Sequence, residues 1–226
     1  MSKLTLFTDP RFPCPQRLRL VILELGLEIT DTHYVNIIKR EQRKEEFLKI
    51  NPSGAVPCIQ DHSYDPVLIL SESRAIARYL ASQYGKSNDK LIPDDDVVAK
   101  AKFEEAASIE LTSFDATANR LAFEAHFKQV FMKQDPNEEV VEELKARLEK
   151  SLVLLDHKLS DKSFMTGETI TLVDFFYVPY MHQLEANVWP TFLDGRQNLL
   201  AWWNRMKGRE SYRQVYQDRG NSLTGG

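Results

Sequence analysis

Two segments of the sequence place a reactive or charged side chain at the start of a predicted helix. Cys14 comes just before a helical pattern over residues 15–25, and a thiol in this position could carry out thiol–disulfide exchange. Glu72 and Ser73 begin another helical pattern, where free backbone N–H groups and the Ser73 hydroxyl can bind a carboxylate while Glu72 binds an ammonium group. Both patterns also have a structural interpretation, because a lone cysteine is often a small buried hydrophobe and a Glu-Ser pair often caps a helix.

Composition argues against several other kinds of chemistry. The chain has 226 residues, a net charge of −4, five scattered histidines and only two cysteines, Cys14 and Cys58. We therefore predict no metal site and no disulfide, and no nucleic-acid partner, since acidic and basic residues are interspersed. The low cysteine content and the lack of a signal-peptide or membrane-spanning run predict a cytoplasmic protein without membrane contact.

The first part of the chain alternates strand and helix patterns. Predicted strands lie within residues 3–7, 29–37, 56–59 and 67–70, and predicted helices cover residues 15–25, 43–50 and 72–84. The order βαβαββα combines a parallel unit with an antiparallel hairpin, so we expect one mixed sheet with helices on its faces.

The second part of the chain shows only helical patterns. Helices are predicted over residues 97–131, 138–159, 171–189, 198–206 and 211–216. Polar and turn-forming residues at 86–96 predict a linker. We therefore predict an α/β domain over residues 1–85 and an all-α domain over residues 97–226.

Three local motifs carry a family resemblance that extends over nearly the whole chain. They are Asn-Pro-Ser-Gly-Ala-Val-Pro at 51–57, Ser-Glu-Ser-Arg-Ala-Ile-Ala-Arg-Tyr-Leu at 71–80 and Thr-Leu-Val-Asp at 171–174. Together they resemble the cytosolic glutathione transferases, and the segment 101–110 is most similar to the phi class and its fungal relatives. The resemblance implies a thioredoxin-like first domain followed by a helical bundle.

The resemblance also implies which residues bind glutathione. Val56–Pro57 corresponds to a cis peptide bond beside which the Val56 backbone pairs with the cysteinyl part of glutathione. Glu72 and Ser73 correspond to the site of the γ-glutamyl group. Gln42 and Arg43 correspond to a His-Lys pair near the glycyl carboxylate, so Arg43 could bind that carboxylate, although the charged and polar neighbours are also typical of a solvated helix face. The motif at 171–174 is predicted to be a structural capping box.

The residue that activates the glutathione thiol is the point where this chain departs from the family pattern. Counting from Arg17, the phi-class serine position falls on Phe12, which has no hydroxyl group. Cys14, or backbone N–H groups at the start of the first helix, could stabilise the thiolate instead. A Cys14 nucleophile would favour thiol transfer of the omega type over conjugation.

The resemblance leads to a prediction of function with two alternatives. We predict a homodimeric glutathione S-transferase for detoxification that joins glutathione to small hydrophobic electrophiles and needs no cofactor. Aromatic residues between Phe114 and Phe131 are candidates for lining the electrophile site, although helical spacing is also typical of core residues. The alternatives are a Cys14-dependent thiol transferase and a non-catalytic, ligandin-type binder of glutathione or a hydrophobic ligand.

Overall fold

A computed structural model describes residues 3–85, 91–93 and 96–217. The chain divides into two compact units, the first formed by Met1–Leu91 with Arg213–Gly226 and the second by Ile92–Tyr212. The predicted linker over residues 86–96 falls largely outside the described residues. The predicted domain limits at residues 85 and 97 stay predictions.

The first unit has the predicted order of strands and helices. The elements are β1 (Leu4–Thr8), α1 (Pro13–Glu24), β2 (Asp31–Tyr34), a 3₁₀ turn (Glu41–Arg43), α2 (Glu45–Ile50), β3 (Cys58–Asp61), β4 (Leu68–Ser71) and α3 (Ser73–Tyr84). Helix α1 begins at Pro13 because proline at the first helical position has a suitable φ angle and needs no hydrogen bond from its nitrogen. The prediction that Cys14 precedes this helix is therefore wrong, and Cys14 lies in its first turn.

The four strands form one mixed sheet in the order β2-β1-β3-β4. Strand β1 pairs in parallel with β2 and antiparallel with β3, and β3 pairs antiparallel with β4. Successive side chains of β1 point to opposite faces of the sheet. Phe7 packs on one face with Phe47 of α2 and Cys58 of β3. Helices α1 and α3 pack against each other.

Asp61 ties the far end of α3 to the sheet. Its buried carboxylate accepts hydrogen bonds from the Tyr79 hydroxyl at 2.6 Å, from the Tyr84 hydroxyl and from the Ser63 N–H at 2.9 Å. Burial opposes ionisation of Asp61, but these hydrogen bonds outweigh it, so the pKa of Asp61 is lowered. These contacts hold the C-terminal part of α3 against β3.

The second unit is helical, as predicted. Its helices are α4 (Val97–Ile109), α5 (Ala116–Ala122), α6 (Lys128–Met132), α7 (Glu138–Lys158), α8 (Leu172–Gln183) and α9 (Gln197–Lys207), and α10 (Glu210–Tyr216) follows. The predicted segment 97–131 is interrupted by π-helical turns at Glu110–Asp115 and Phe123–Phe127, which the apolar pattern did not reveal. Among the described residues, no helix combines the length and the apolarity needed to cross a bilayer.

The predicted capping box at the start of α8 is confirmed. The Asp174 carboxylate is fully buried and accepts hydrogen bonds from the N–H groups of Thr171 at 2.8 Å and Met165 at 2.9 Å. It also accepts one from the Trp202 indole N–H at 2.9 Å. Burial raises the pKa of Asp174, although these hydrogen bonds favour the carboxylate. Asp174 therefore joins the start of α8 to the preceding loop and to α9.

We expect Asp174→Ala to lower the free energy of unfolding by roughly 3–5 kcal/mol, because it leaves three buried N–H groups without this acceptor. Trp202→Phe removes one of these donors and also leaves part of the buried indole volume empty, so it should cost at least about 1–2 kcal/mol. Urea unfolding followed by circular dichroism measures both values. Glu143→Ala, at an exposed position of α7, is the control and should change stability by less than about 0.5 kcal/mol. An Asp174→Ala protein as stable as this control would contradict the assigned role.

Candidate functional site

Three chain segments converge at one edge of the sheet in the first unit, the edge formed by the carboxyl ends of β1 and β4 and the amino end of β3. In the β1–β3 pairing Phe7 lies opposite Cys58, and in the β3–β4 pairing Cys58 lies opposite Ser71. The residues just before Cys58 therefore lie beside those just after Ser71. The carboxyl end of β1, which leads to the start of α1, meets the same edge. This register brings the predicted site residues at 12–14, 56–57 and 72–73 to one place.

The middle and last of these segments have unusual backbone geometry. The Val56–Pro57 peptide bond is cis, which confirms the prediction from the family resemblance. Glu72 is the N-cap of α3 and has φ = 69° and ψ = 109°. A positive φ is unfavourable for a residue with a side chain and is concentrated at functional sites in proteins. Glu72 forms no side-chain cap on α3, so its carboxylate does not occupy the helix N-terminus.

The N-terminus of α1 offers a single backbone donor. Phe12 is the N-cap and makes no side-chain capping bond. Pro13 and Pro15 have no N–H group, and the Gln16 N–H donates to the Phe12 carbonyl at 3.1 Å. Within the described part of the chain the N–H of Cys14 has no acceptor, and the Cys14 side chain is half-buried. An anion at this helix end would therefore meet the Cys14 N–H group.

Arg17 connects the start of α1 with the start of α3. Its side chain is completely buried, and Nη1 lies 3.4 Å from the Cys14 sulfur and 3.1 Å from the Ser73 hydroxyl oxygen. The guanidinium donates to both atoms and places a positive charge between them. Sequence reasoning used Arg17 only as a reference for counting. The available signal was an arginine next to Leu18 in an apolar helix, since a charged residue is rarely buried without partners.

The loop before α1 is held by a charged cluster around Asp9. Arg11 donates from Nε and Nη2 to the Asp9 carboxylate at 2.8 and 2.6 Å, and from Nη2 to Asn36 at 3.0 Å. The Ile37 N–H donates to the same carboxylate at 3.1 Å. Its hydrogen bond to Asp9 raises the pKa of Arg11. These contacts fix the path that the chain takes from β1 to Phe12.

Gln42 and Arg43 lie against the turn that precedes Val56. Both residues belong to the 3₁₀ turn, whereas helix α2 begins at Glu45. The prediction that Arg43 lies at the start of the second helix is therefore wrong, because Arg43 precedes that helix. Arg43 Nη1 donates to the Ser53 carbonyl at 3.2 Å and is otherwise exposed. Gly54 has φ = 59°, and a Cβ atom there would lie 2.8 Å from Arg43 Nη1 and 2.9 Å from the Gln42 carbonyl. This close approach requires glycine.

The predicted electrophile-lining aromatic residues have different environments within the second unit. Phe114 is fully buried and packs against Tyr177, so it is a core residue. Phe127 and Phe131 stack on each other at 5.7 Å between ring centroids. Phe123 is 45% exposed. In residues 3–85, 91–93 and 96–217, no group of His, Cys, Asp and Glu side chains could hold a metal ion.

Comparison with known proteins identifies the family. Residues 13–83 match the sequence model of the glutathione S-transferase N-terminal domain, and residues 118–210 match that of the C-terminal domain. The chain is 35% identical to the glutathione S-transferase hmp2 of Hypomyces subiculosus, over 86% of this chain and 90% of the relative. It is 32% identical to glutathione S-transferase PM239X14 of Arabidopsis thaliana, over 84% and 85%.

A solved structure supports the same assignment. Glutathione transferase F2 from Populus trichocarpa is 26% identical and superimposes with a TM-score of 0.86, covering 96% of this chain and 98% of the poplar chain. The chain belongs to the glutathione S-transferase family. The predicted enzyme class, the phi-type relationship and the two-part fold are confirmed, and the relatives do not favour the two alternative functions. The assignment of individual site residues stays a prediction.

The two cysteines should differ strongly in reactivity. Burial raises the pKa of the Cys58 thiol to about 11, whereas Cys14 is partly accessible. We expect the native protein at pH 8 to react quickly with one equivalent of an aromatic disulfide reagent, and the second thiol to react at least about 100-fold more slowly. Absorbance of the released thiolate measures both phases. Cys14→Ser should remove the fast phase and Cys58→Ala should keep it, and two fast equivalents in the native protein would contradict the placement of Cys58.

Proposed function

We propose that the chain conjugates the thiol of glutathione to small hydrophobic electrophiles, with the binding site at the sheet edge of the first unit. The observation that carries this proposal is the Arg17 guanidinium, which lies within hydrogen-bond distance of both Cys14 and Ser73. It joins the helix end that would hold the sulfur of glutathione to the helix end that would hold its γ-glutamyl group.

The γ-glutamyl group is zwitterionic and needs a site divided by charge. Ser73 and the N-terminus of α3 provide donors for its carboxylate, and the positive charge of Arg17 next to Ser73 adds to their attraction. Glu72 provides the negative charge for the ammonium group. The positive φ of Glu72 supports this role, because such strained backbone conformations of non-glycine residues are concentrated at ligand-binding and active sites.

The rest of glutathione would extend away from α3 along the same edge. The Val56 backbone beside the cis bond to Pro57 would pair with the cysteinyl residue, as strands pair. Arg43 would bind the glycyl carboxylate, with Gln42 beside it. The close packing of Gly54 against both residues supports this arrangement, because it holds them next to the segment that leads into Val56.

The thiolate would be stabilised without a serine hydroxyl. The Phe12 side chain has no donor, and the Phe12 N–H already donates to the Asp9 carbonyl at 3.2 Å. The proposed donor is therefore the Cys14 N–H, the one backbone N–H in the first turn of α1 that has no acceptor among the described residues. The positive ends of the peptide dipoles and the buried Arg17 charge favour an anionic sulfur nearby. The thiolate then attacks the electrophile and forms a carbon–sulfur bond as the leaving group departs.

The wider assignment follows the family. We propose a homodimer, whose mass in solution would be twice the 26.1 kDa of the chain, with a cytoplasmic location and no requirement for a cofactor. The electrophile would be bound by the all-helical domain over residues 97–226, where the exposed Phe123 is one candidate contact.

The binding half of the proposal is tested by Ser73→Ala and Glu72→Gln. Each removes one charge-assisted contact to glutathione worth about 1.5–3 kcal/mol, so KM for glutathione should rise roughly 10- to 100-fold. Initial rates of conjugation to an aryl halide over a range of glutathione concentrations give KM and kcat separately. Glu45→Gln, which removes an exposed carboxylate from α2, is the matched control and should leave both constants unchanged. An unchanged KM in both site variants would place glutathione elsewhere.

The chemical half is tested at Cys14. Because Cys14→Ser and Cys14→Ala both keep the backbone N–H, we expect kcat for conjugation to fall by no more than roughly 10-fold in either variant. Exchange with β-hydroxyethyl disulfide, measured on the same preparations, should be weak in the native protein and absent in both variants. A loss of conjugation above about 1,000-fold in both would make the thiol essential, and strong exchange without conjugation in the native protein would overturn the proposed reaction.

A further inference from the structure

A cavity of about 160 Å³ lies in the first unit, between helix α1 and the β1–β2 side of the sheet. Leu6 and Thr8 of β1 line its floor. Their register partners Thr32 and Tyr34 continue that floor onto β2, the outermost strand. Its roof is the stripe of α1 that contains Pro15, Arg19, Ile22 and Leu23. Because β2 is an edge strand, the space opens toward solvent beside Tyr34.

This cavity is separate from the proposed glutathione site. None of its lining residues is one of the site residues assigned above. Helical periodicity places Pro15, Arg19 and Ile22 on one side of α1, whereas Cys14 and Arg17 lie on the opposite side. The two regions therefore use different faces of the same helix.

The size and lining of the cavity select a small aromatic ligand. A cavity of about 150 Å³ lined by aliphatic side chains is large enough to bind benzene. Here the aliphatic groups come from Leu6, Ile22, Leu23 and Ile29, so one ring could be enclosed by apolar surface on several sides. Glutathione is both too large and too polar for this space.

The mouth of the cavity adds an anion-binding group. Arg19 lines the cavity and is exposed, and its guanidinium makes no hydrogen bond or ion pair with any residue that the structure describes. Tyr34 is 71% exposed, and its hydroxyl likewise has no partner within the described part of the chain. A planar guanidinium prefers a carboxylate, which can accept two parallel hydrogen bonds.

We propose that this cavity, formed by Leu6, Ile22, Leu23, Ile29, Arg19 and Tyr34, is a binding site for a single-ring aromatic carboxylate. The ring occupies the apolar interior, and the carboxylate lies at the mouth between the Arg19 guanidinium and the Tyr34 hydroxyl. The site is independent of glutathione binding, because no residue is shared.

Benzoate is the probe that tests this proposal, and benzyl alcohol is its uncharged counterpart of similar size. In a methyl NMR titration of the full-length protein, benzoate should bind saturably with a Kd of roughly 0.1–1 mM. The methyl resonances of Ile22, Leu23 and Ile29 should shift most. Binding should persist when S-hexylglutathione is present at saturation, because that compound occupies the glutathione and electrophile regions.

Two variants separate the contributions of charge and shape. Arg19→Gln should weaken benzoate binding about 10-fold and leave benzyl alcohol binding unchanged, since only the carboxylate contact is lost. Leu23→Trp should fill the cavity and weaken both ligands at least about 10-fold. Arg147→Gln, at an exposed position of α7, is the charge control and should affect neither ligand. Glutathione binding and the melting temperature, measured for each variant, show that the fold and the other site are intact.

Several results would overturn the proposal. The first is the absence of benzoate binding up to about 20 mM, a concentration well above the expected Kd. The second is displacement of benzoate by S-hexylglutathione, and the third is equal benzoate affinity in the native and Arg19→Gln proteins. Because Arg19 is an exposed side chain, its replacement should not affect folding. The comparison of native and Arg19→Gln proteins therefore decides the question even if Leu23→Trp is unstable. Failure of the conjugation assays would not affect the NMR titrations, because the titrations detect binding of benzoate directly.

Discussion

The arrangement of the site depends on the buried guanidinium of Arg17. A charged group in the protein interior loses its hydration, which costs several kcal/mol unless hydrogen bonds replace it. Arg17 donates to Cys14 on its own helix and to Ser73 at the start of α3, so these two helix ends cannot separate without leaving donors of a buried cation unpaired. At the other end of α3, Asp61 holds Tyr79 and Tyr84. Helix α3 is therefore fixed at both ends.

This constraint supports the proposal that the chain activates the glutathione thiol without a serine hydroxyl at position 12. Two prolines reduce the donors of the first helical turn, and the Cys14 N–H is the donor left over among the described residues. Arg17 adds a full charge a short distance behind it. A hydroxyl supplies one local hydrogen bond, whereas a helix terminus and a buried cation act through their electrostatic field, which is strong in a site shielded from water. Loss of the hydroxyl at Phe12 is therefore compatible with transferase chemistry.

Local sequence patterns predicted most of the fold but not the contacts that complete the site. The element order and the capping box at Asp174 could be predicted because each depends on residues close in the chain. The cis bond at Val56–Pro57 could be predicted from the family resemblance, since a Val-Pro step alone is also typical of an ordinary strand start. The contact between Arg17 and Ser73 spans 56 residues, and the approach of Gly54 to Arg43 depends on how two turns pack. The π-helical turns were missed because one extra residue shifts an apolar stripe without breaking it.

Helix α1 therefore serves two faces of the first unit. Cys14 and Arg17 face α3, while Pro15, Arg19 and Ile22 cover the cavity beside β2. Strand β2 is short and is the outermost strand, and α1 is the helix that covers this part of the sheet. Small side chains such as Thr8 and Thr32 leave space between the sheet and α1. Filling it with a larger side chain would improve packing, since apolar voids lower stability. A cavity that keeps an exposed arginine at its mouth is better explained as a binding site than as a packing defect.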